Sequence, residues 1–151
     1  MSTFGSADEA LDFAIEREQE AADFYTDLAG KVKNPDMRKV FDGFSKEEMG
    51  HKAKLQGVKK GKRLTQGDRN VTDLKIADYL VDVEPEPGMD YREALILAMK
   101  KEKAAFRLYS DLASSAGDAE VRDLFHALAQ EEAKHKLRFE LEYDDEVLKW
   151  N

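Results

Sequence analysis

Residues 44–55 read Phe-Ser-Lys-Glu-Glu-Met-Gly-His-Lys-Ala-Lys-Leu, and residues 128–139 read Leu-Ala-Gln-Glu-Glu-Ala-Lys-His-Lys-Leu-Arg-Phe. Both stretches carry Glu-Glu-x-x-His-Lys, at an offset of 84 residues. Three residues make nearly one helical turn, so on helices Glu48 and His51 share a face, as do Glu132 and His135. Each histidine sits in the middle of an apolar stripe, between Phe44 and Leu55 or between Leu128 and Phe139. Averaging the directions of the stripe residues places Glu48 and Glu132 near its centre, and Glu47 and Glu131 towards its edge. The first pair is therefore assigned to the core, and the second to supporting or surface positions.

The repeat extends outward from these stretches without a gap. Ala10, Leu11, Ala14, Glu18, Ala21 and Tyr25 fall on Ala94, Leu95, Ala98, Glu102, Ala105 and Tyr109. Arg38 and Phe41 fall on Arg122 and Phe125. Glu18 lies at the centre of the stripe made by Leu11, Ala14, Ile15, Ala21, Ala22, Tyr25 and Ala29, so its carboxylate points inward. Glu102 sits likewise among Leu95, Ala98, Met99, Ala105, Phe106, Tyr109 and Ala113.

Helix ends are written in the capping residues. Ser6 with Glu9 and Asp90 with Glu93 have capping-box spacing, Asn34-Pro35 is a cap and first-turn pair, and Gly117-Asp118 turns the chain into a last helix. The expected helices are 7–32, 35–60, 90–115 and 118–148, each about 40 Å long at about 1.5 Å per residue. Residues 61–89, with Gly67, Pro85, Pro87 and Gly88, form a long crossover. Thr72 is placed to cap a short helix over about 73–81, through Ile76 and Leu80. The reading is all-α: two helical hairpins about a pseudo-twofold axis, in a single four-helix domain over 1–151.

Composition narrows the chemistry. The chain has 151 residues, 42% hydrophobic and 37% charged, which suits one core. A net charge of −8 is the wrong sign for binding nucleic acid or an anionic membrane. With no cysteine, disulfides, thiolate metal sites and cysteine nucleophiles are excluded. No apolar run approaches the roughly 20 residues of a membrane helix, and the start lacks a basic segment before an apolar one. A soluble, cytoplasmic location is expected.

Four carboxylates and two imidazoles aimed into one bundle demand a counter-charge, because an unpaired buried carboxylate costs several kcal/mol or takes up a proton. No Lys or Arg falls at the matching core positions, and two divalent cations balance four carboxylates. One Glu from each of two helices plus Glu-x-x-His from each of the other two is the ligand set of ferritin-like di-metal carboxylate bundles. Oxygen and imidazole donors suit iron, or manganese, better than a thiophilic metal.

Over nearly its whole length the chain resembles the rubrerythrin-like branch of the ferritin-like di-iron proteins. The resemblance is carried by Ala14-Ile15-x-x-Glu18-x-x-Ala21-x-x-Phe24-Tyr25-x-x-Leu28-Ala29, Glu47-Glu48-x-x-His51, Glu102 to Ala113, and Glu131-Glu132-x-x-His135. It implies metal ligands at Glu18, Glu48, His51, Glu102, Glu132 and His135, with Glu48 and Glu132 bridging two irons and Glu18 and Glu102 terminal. It also implies that Tyr25 and Tyr109 hydrogen-bond ligand carboxylates across the bundle. Two features depart from the family pattern. Ala105 stands where typical members carry a further glutamate, and there are no cysteines for a rubredoxin-like electron-delivery domain. The site is thereby closer in ligand set to a symmetric ferroxidase centre.

The resemblance implies reduction of hydrogen peroxide or dioxygen with electrons from an external donor protein such as a rubredoxin. The alternatives are a ferroxidase or iron-handling protein, and a non-enzymatic bundle with structural metals. A homodimer, using Ile76, Leu80 and Val81, is the expected assembly. His126, nine residues before His135, is expected at a helix interface, and Lys59, Lys60, Lys62 and Arg63 read as favourable charges at a helix C-terminus.

Overall fold

A computed structural model describes residues 2–65, 71–81 and 88–150 of the chain. It consists of four long α-helices, α1 (Ala7–Lys31), α2 (Pro35–Lys60), α3 (Tyr91–Ser115) and α4 (Ala119–Trp150). The caps act where the sequence places them. The Ser6 hydroxyl accepts from the Glu9 N–H at 3.1 Å, the Asn34 side chain from Asp36 N–H at 2.9 Å, and Asp90 from Glu93 N–H at 2.8 Å. Asp118 accepts from the N–H groups of Glu120 and Val121. Pro35 occupies the first turn of α2, where its missing N–H has no partner to lose.

α1 packs along α2 and α3 along α4, giving two antiparallel hairpins. Their apolar stripes meet in two core clusters. One is built on Leu11, Leu55, Tyr109 and Phe125, the other on Leu95, Phe139, Tyr25 and Phe41. These sets are exchanged residue by residue by the 84-residue offset, so the pseudo-twofold of the sequence is a relation between the two ends of the bundle. The polar layer lies between the two apolar clusters.

The crossover departs from expectation. Where one short helix is expected over about 73–81 there are two 3₁₀ turns, Val71–Asp73 and Ile76–Tyr79, and the second has no side-chain cap. The N-terminal segment is the reason. Phe4 N–H donates to Leu74 O at 3.2 Å, Ile76 N–H donates to Ser2 O at 3.1 Å, and Thr3 bridges Lys75. Backbone groups paired in this strand-like way are withdrawn from a helical ladder. Gly67, Pro85 and Pro87 lie outside the described residues.

Two further side chains differ from the sequence reading. Phe106 is 43% exposed rather than part of the inward stripe, and His126 is exposed rather than at an interface. Phe106 follows the half-buried Ala105 and His126 follows the buried Phe125, and one helical step of about 100° turns each of them outward. The basic end of α2 is engaged in specific pairs: Lys59 with Asp12 at 2.6 Å, and Arg63 with Asp118 at 3.1 Å and Glu120 at 2.9 Å. No helix among the described residues is long and apolar enough to cross a membrane.

Candidate metal centre

All six candidate ligands are buried and converge in the layer between the core clusters: Glu18 from α1, Glu48 and His51 from α2, Glu102 from α3, Glu132 and His135 from α4. They form two overlapping groups. In Glu18, Glu48, His51 and Glu132, one donor atom per residue lies within 4.8 Å of all the others, and the same holds for Glu48, Glu102, Glu132 and His135. Glu48 and Glu132 belong to both groups, whereas Glu18 with His51 and Glu102 with His135 belong to one each. His51 Nδ1 stands 3.1 Å from Glu132 Oε1 and 3.4 Å from Glu48 Oε1, and His135 Nδ1 stands 3.3 Å from Glu48 Oε1. The imidazole rings are nearly parallel, with centroids 6.4 Å apart.

Whether a metal pair suits this layer is tested by its hydrogen bonding. Glu18 Oε2, Glu48 Oε1, Glu102 Oε2, Glu132 Oε1, His51 Nδ1 and His135 Nδ1 are all buried without a hydrogen-bond partner. Among the described residues only one other side-chain atom, Arg17 Nε, shares that state. Buried polar atoms are normally satisfied, and one orphan costs about 1–3 kcal/mol. Six orphans converging in one layer are the donor set of cations, and their oxygen and imidazole chemistry fits iron.

The second polar atoms of Glu18, Glu102, His51 and His135 are held. Tyr25 Oη donates to Glu102 Oε1, and Tyr109 Oη donates to Glu18 Oε1, each from one hairpin to the other. His51 Nε2 pairs with Glu131 Oε2, and His135 Nε2 with Glu47 Oε2 at 2.6 Å, again between hairpins. A carboxylate on Nε2 keeps a proton there and turns the Nδ1 lone pair towards the cluster. Glu47 and Glu131, half exposed, are thus the acceptors of the imidazole N–H groups. The sequence signal for that role is faint: both halves of the repeat keep a glutamate just before the buried one. Phe44 fixes the His135 ring from one side, stacked at 3.9 Å between centroids.

Without metal the layer stores protons. Burial, reinforced by the charge of Glu48, pushes the Glu18 carboxyl up to about 8, and burial with Glu48 nearby also raises Glu102. Glu132 is raised well above the usual range by burial and by Glu102, Glu48 and Glu18. Burial works against Glu48 too, but the attraction of His135 and His51 prevails and holds it down at about 2. Burial alone would lower the imidazoles, yet the carboxylates beside them prevail: His51 rises to about 11 through Glu18 and Glu48, and His135 to about 10 through Glu102 and Glu48. Burial keeps the phenols of Tyr25 and Tyr109 protonated far above their ordinary range, with Glu102 and Glu18 adding to it.

Four helices in two hairpins, with glutamates and histidines paired across a twofold layer, define a ferritin-like four-helix bundle. The family model described as Rubrerythrin matches residues 9–143, and the chain belongs to that family. Family and buried cluster together support a di-iron protein. Among solved structures, a hypothetical protein from Pyrococcus furiosus is similar at 26% identity and a TM-score of 0.76, over 97% of this chain and 93% of that one. A protein described as a putative ferritin-like diiron-carboxylate protein from Thermotoga maritima shares the fold at 18% identity and a TM-score of 0.79, over 97% and 99% of the two chains. No curated protein matches the chain.

Proposed function

We propose that this protein is a di-iron oxidoreductase that reduces hydrogen peroxide, or dioxygen, with electrons from an external donor protein. The observation that carries the reading is the set of six unpartnered donor atoms, two groups sharing Glu48 and Glu132. In this reading Glu18 and His51 would hold one ion and Glu102 and His135 the other, with Glu48 and Glu132 available to both. Bound iron supplies one-electron redox chemistry that no side chain here possesses. The chain's residues do the rest. Glu47 and Glu131 hold the Nε2 protons, which fixes the tautomer of both rings. Tyr25 and Tyr109 fix one oxygen each of Glu102 and Glu18 and leave the other free. The apolar clusters cover the layer at its two ends.

Reduction of hydrogen peroxide to two waters consumes two electrons and two protons. The test is peroxide consumption by the iron-loaded protein with a chemical reductant; consumption that requires both iron and reductant supports the reading, and none with both present refutes it. A ferroxidase is the second reading, favoured by the equivalence of the two halves of the site. Oxidation of Fe(II) well beyond two per chain distinguishes it.

A further inference from the structure

α1 and α3 touch each other far less than either touches its hairpin partner, and between them lies a cavity of about 200 Å³. Its floor is the polar layer itself, with Glu18, Glu48, Glu102 and Glu132 all lining it. Its walls mix small and apolar side chains with the charged Arg17, Glu20 and Lys101. Ala21 and Ala105 stand three residues beyond Glu18 and Glu102, and Ala104, Leu108, Leu80 and Val81 complete that side. The cavity is several times the roughly 30 Å³ of a water molecule in the liquid. Hydrogen peroxide and dioxygen have two heavy atoms, far too few to fill it.

We propose that this cavity receives the carbon part of a small alkyl or aryl hydroperoxide, with its O–O end on the carboxylate floor. The proposal rests on the peroxide-reducing reading above and names its substrate class. A cavity with a carboxylate floor and one apolar side, made by Ala21, Ala104, Ala105, Leu108, Leu80 and Val81, orients a molecule with one polar end, as small-molecule sites commonly do. In the reaction the O–O bond breaks: the hydroperoxide takes two electrons from the external donor and two protons, one oxygen leaves as water, and the other remains on carbon as an alcohol.

The test uses the full-length iron-loaded chain and 2-phenyl-2-propanol, the alcohol left by reduction of cumene hydroperoxide. Its binding is measured by calorimetry beside consumption of cumene hydroperoxide and of hydrogen peroxide. We expect one alcohol bound per chain and about tenfold or greater weakening by Ala105→Leu, which fills the cavity, with metal content unchanged. Ala104→Leu, on the same wall, is measured in parallel in case the first variant does not fold. Absence of alcohol binding, or equal binding by the wild-type protein and both variants, overturns the proposal. Hydrogen peroxide turnover without alcohol binding overturns this proposal alone, whereas alcohol binding without turnover of either peroxide overturns the reading beneath it.

Discussion

Glu47 and His135 lie 88 positions apart in the chain, yet the carboxylate of one meets Nε2 of the other at 2.6 Å. Glu131 and His51 repeat the contact on the opposite side of the pseudo-twofold. Each hairpin therefore orients the imidazole of the other, and the polar layer is complete only when both hairpins are docked. Glu47→Ala removes the acceptor that holds the proton on Nε2 of His135. Metal binding is expected to weaken roughly 10- to 100-fold, as for loss of other carboxylate partners of ligand histidines. A metal titration with a competing chelator measures this; unchanged affinity in Glu47→Ala and Glu131→Ala would falsify the orienting role.

The overlap of the two donor groups predicts unequal losses of stoichiometry. Glu48→Ala takes a donor from both groups and is expected to abolish tight binding of both ions. Glu18→Ala takes a donor from one group, so one ion per chain should remain. Elemental analysis after anaerobic loading and desalting reads the difference. Equal metal content in the two variants contradicts the assignment of Glu48 to a shared position.

Tyr25→Phe deletes the hydroxyl that donates to Glu102 and leaves a buried carboxylate oxygen without its donor. The expected cost is about 1–3 kcal/mol of folding stability. Urea denaturation of the metal-free protein is the measurement, with the slope compared to that of wild type. A midpoint equal to that of the unsubstituted protein shows that the bond contributes nothing.

Stability of the metal-free chain should decline as pH rises from about 6 to about 9. Glu18, Glu102 and Glu132 are held above the ordinary carboxyl range, and His51 and His135 above the imidazole range. The folded chain thus binds more protons than the unfolded one across this interval, and stability falls wherever that is so. The contribution of Glu18 is complete below about 4.5 and is lost as pH rises through about 8; those of His135 and His51 are complete below about 6.5 and are lost through about 10 and 11. Glu48, held at about 2, acts in the opposite sense only in acid. Thermal melts of chelator-treated protein test the sign, and a Tm that climbs over this range contradicts it.

Metal uptake displaces those same protons, because a ligand imidazole and carboxylate bind a cation deprotonated. Loading a weakly buffered, metal-free sample with a divalent ion at neutral pH is expected to acidify it, by several protons per chain. A pH electrode or calorimetry in buffers of different ionisation enthalpy counts them. No release on binding means the layer is already deprotonated and the raised carboxyls are misplaced.

Much of this architecture is local. The caps Ser6, Asn34, Asp90 and Asp118 and the 3.6-residue period of Leu11, Ala14, Glu18, Ala21 and Tyr25 are properties of neighbouring residues, so the sequence by itself determined four helices and their ends. The 84-residue repeat likewise determined that the two halves are equivalent, and put Glu18, Glu48, His51, Glu102, Glu132 and His135 on inward faces. What a helical period cannot state is which atom a side chain meets on another helix. The tertiary structure alone decided that Tyr25 reaches Glu102 and Glu47 reaches His135, and that Phe106 and His126 face outward. It also decided that Thr3 pairs with Lys75, which replaced a crossover helix by two short turns. The physical reason is the same in each case: azimuth on a helix comes from the spacing along it, whereas partners across the bundle come from how two hairpins dock, a relation that local spacing does not encode.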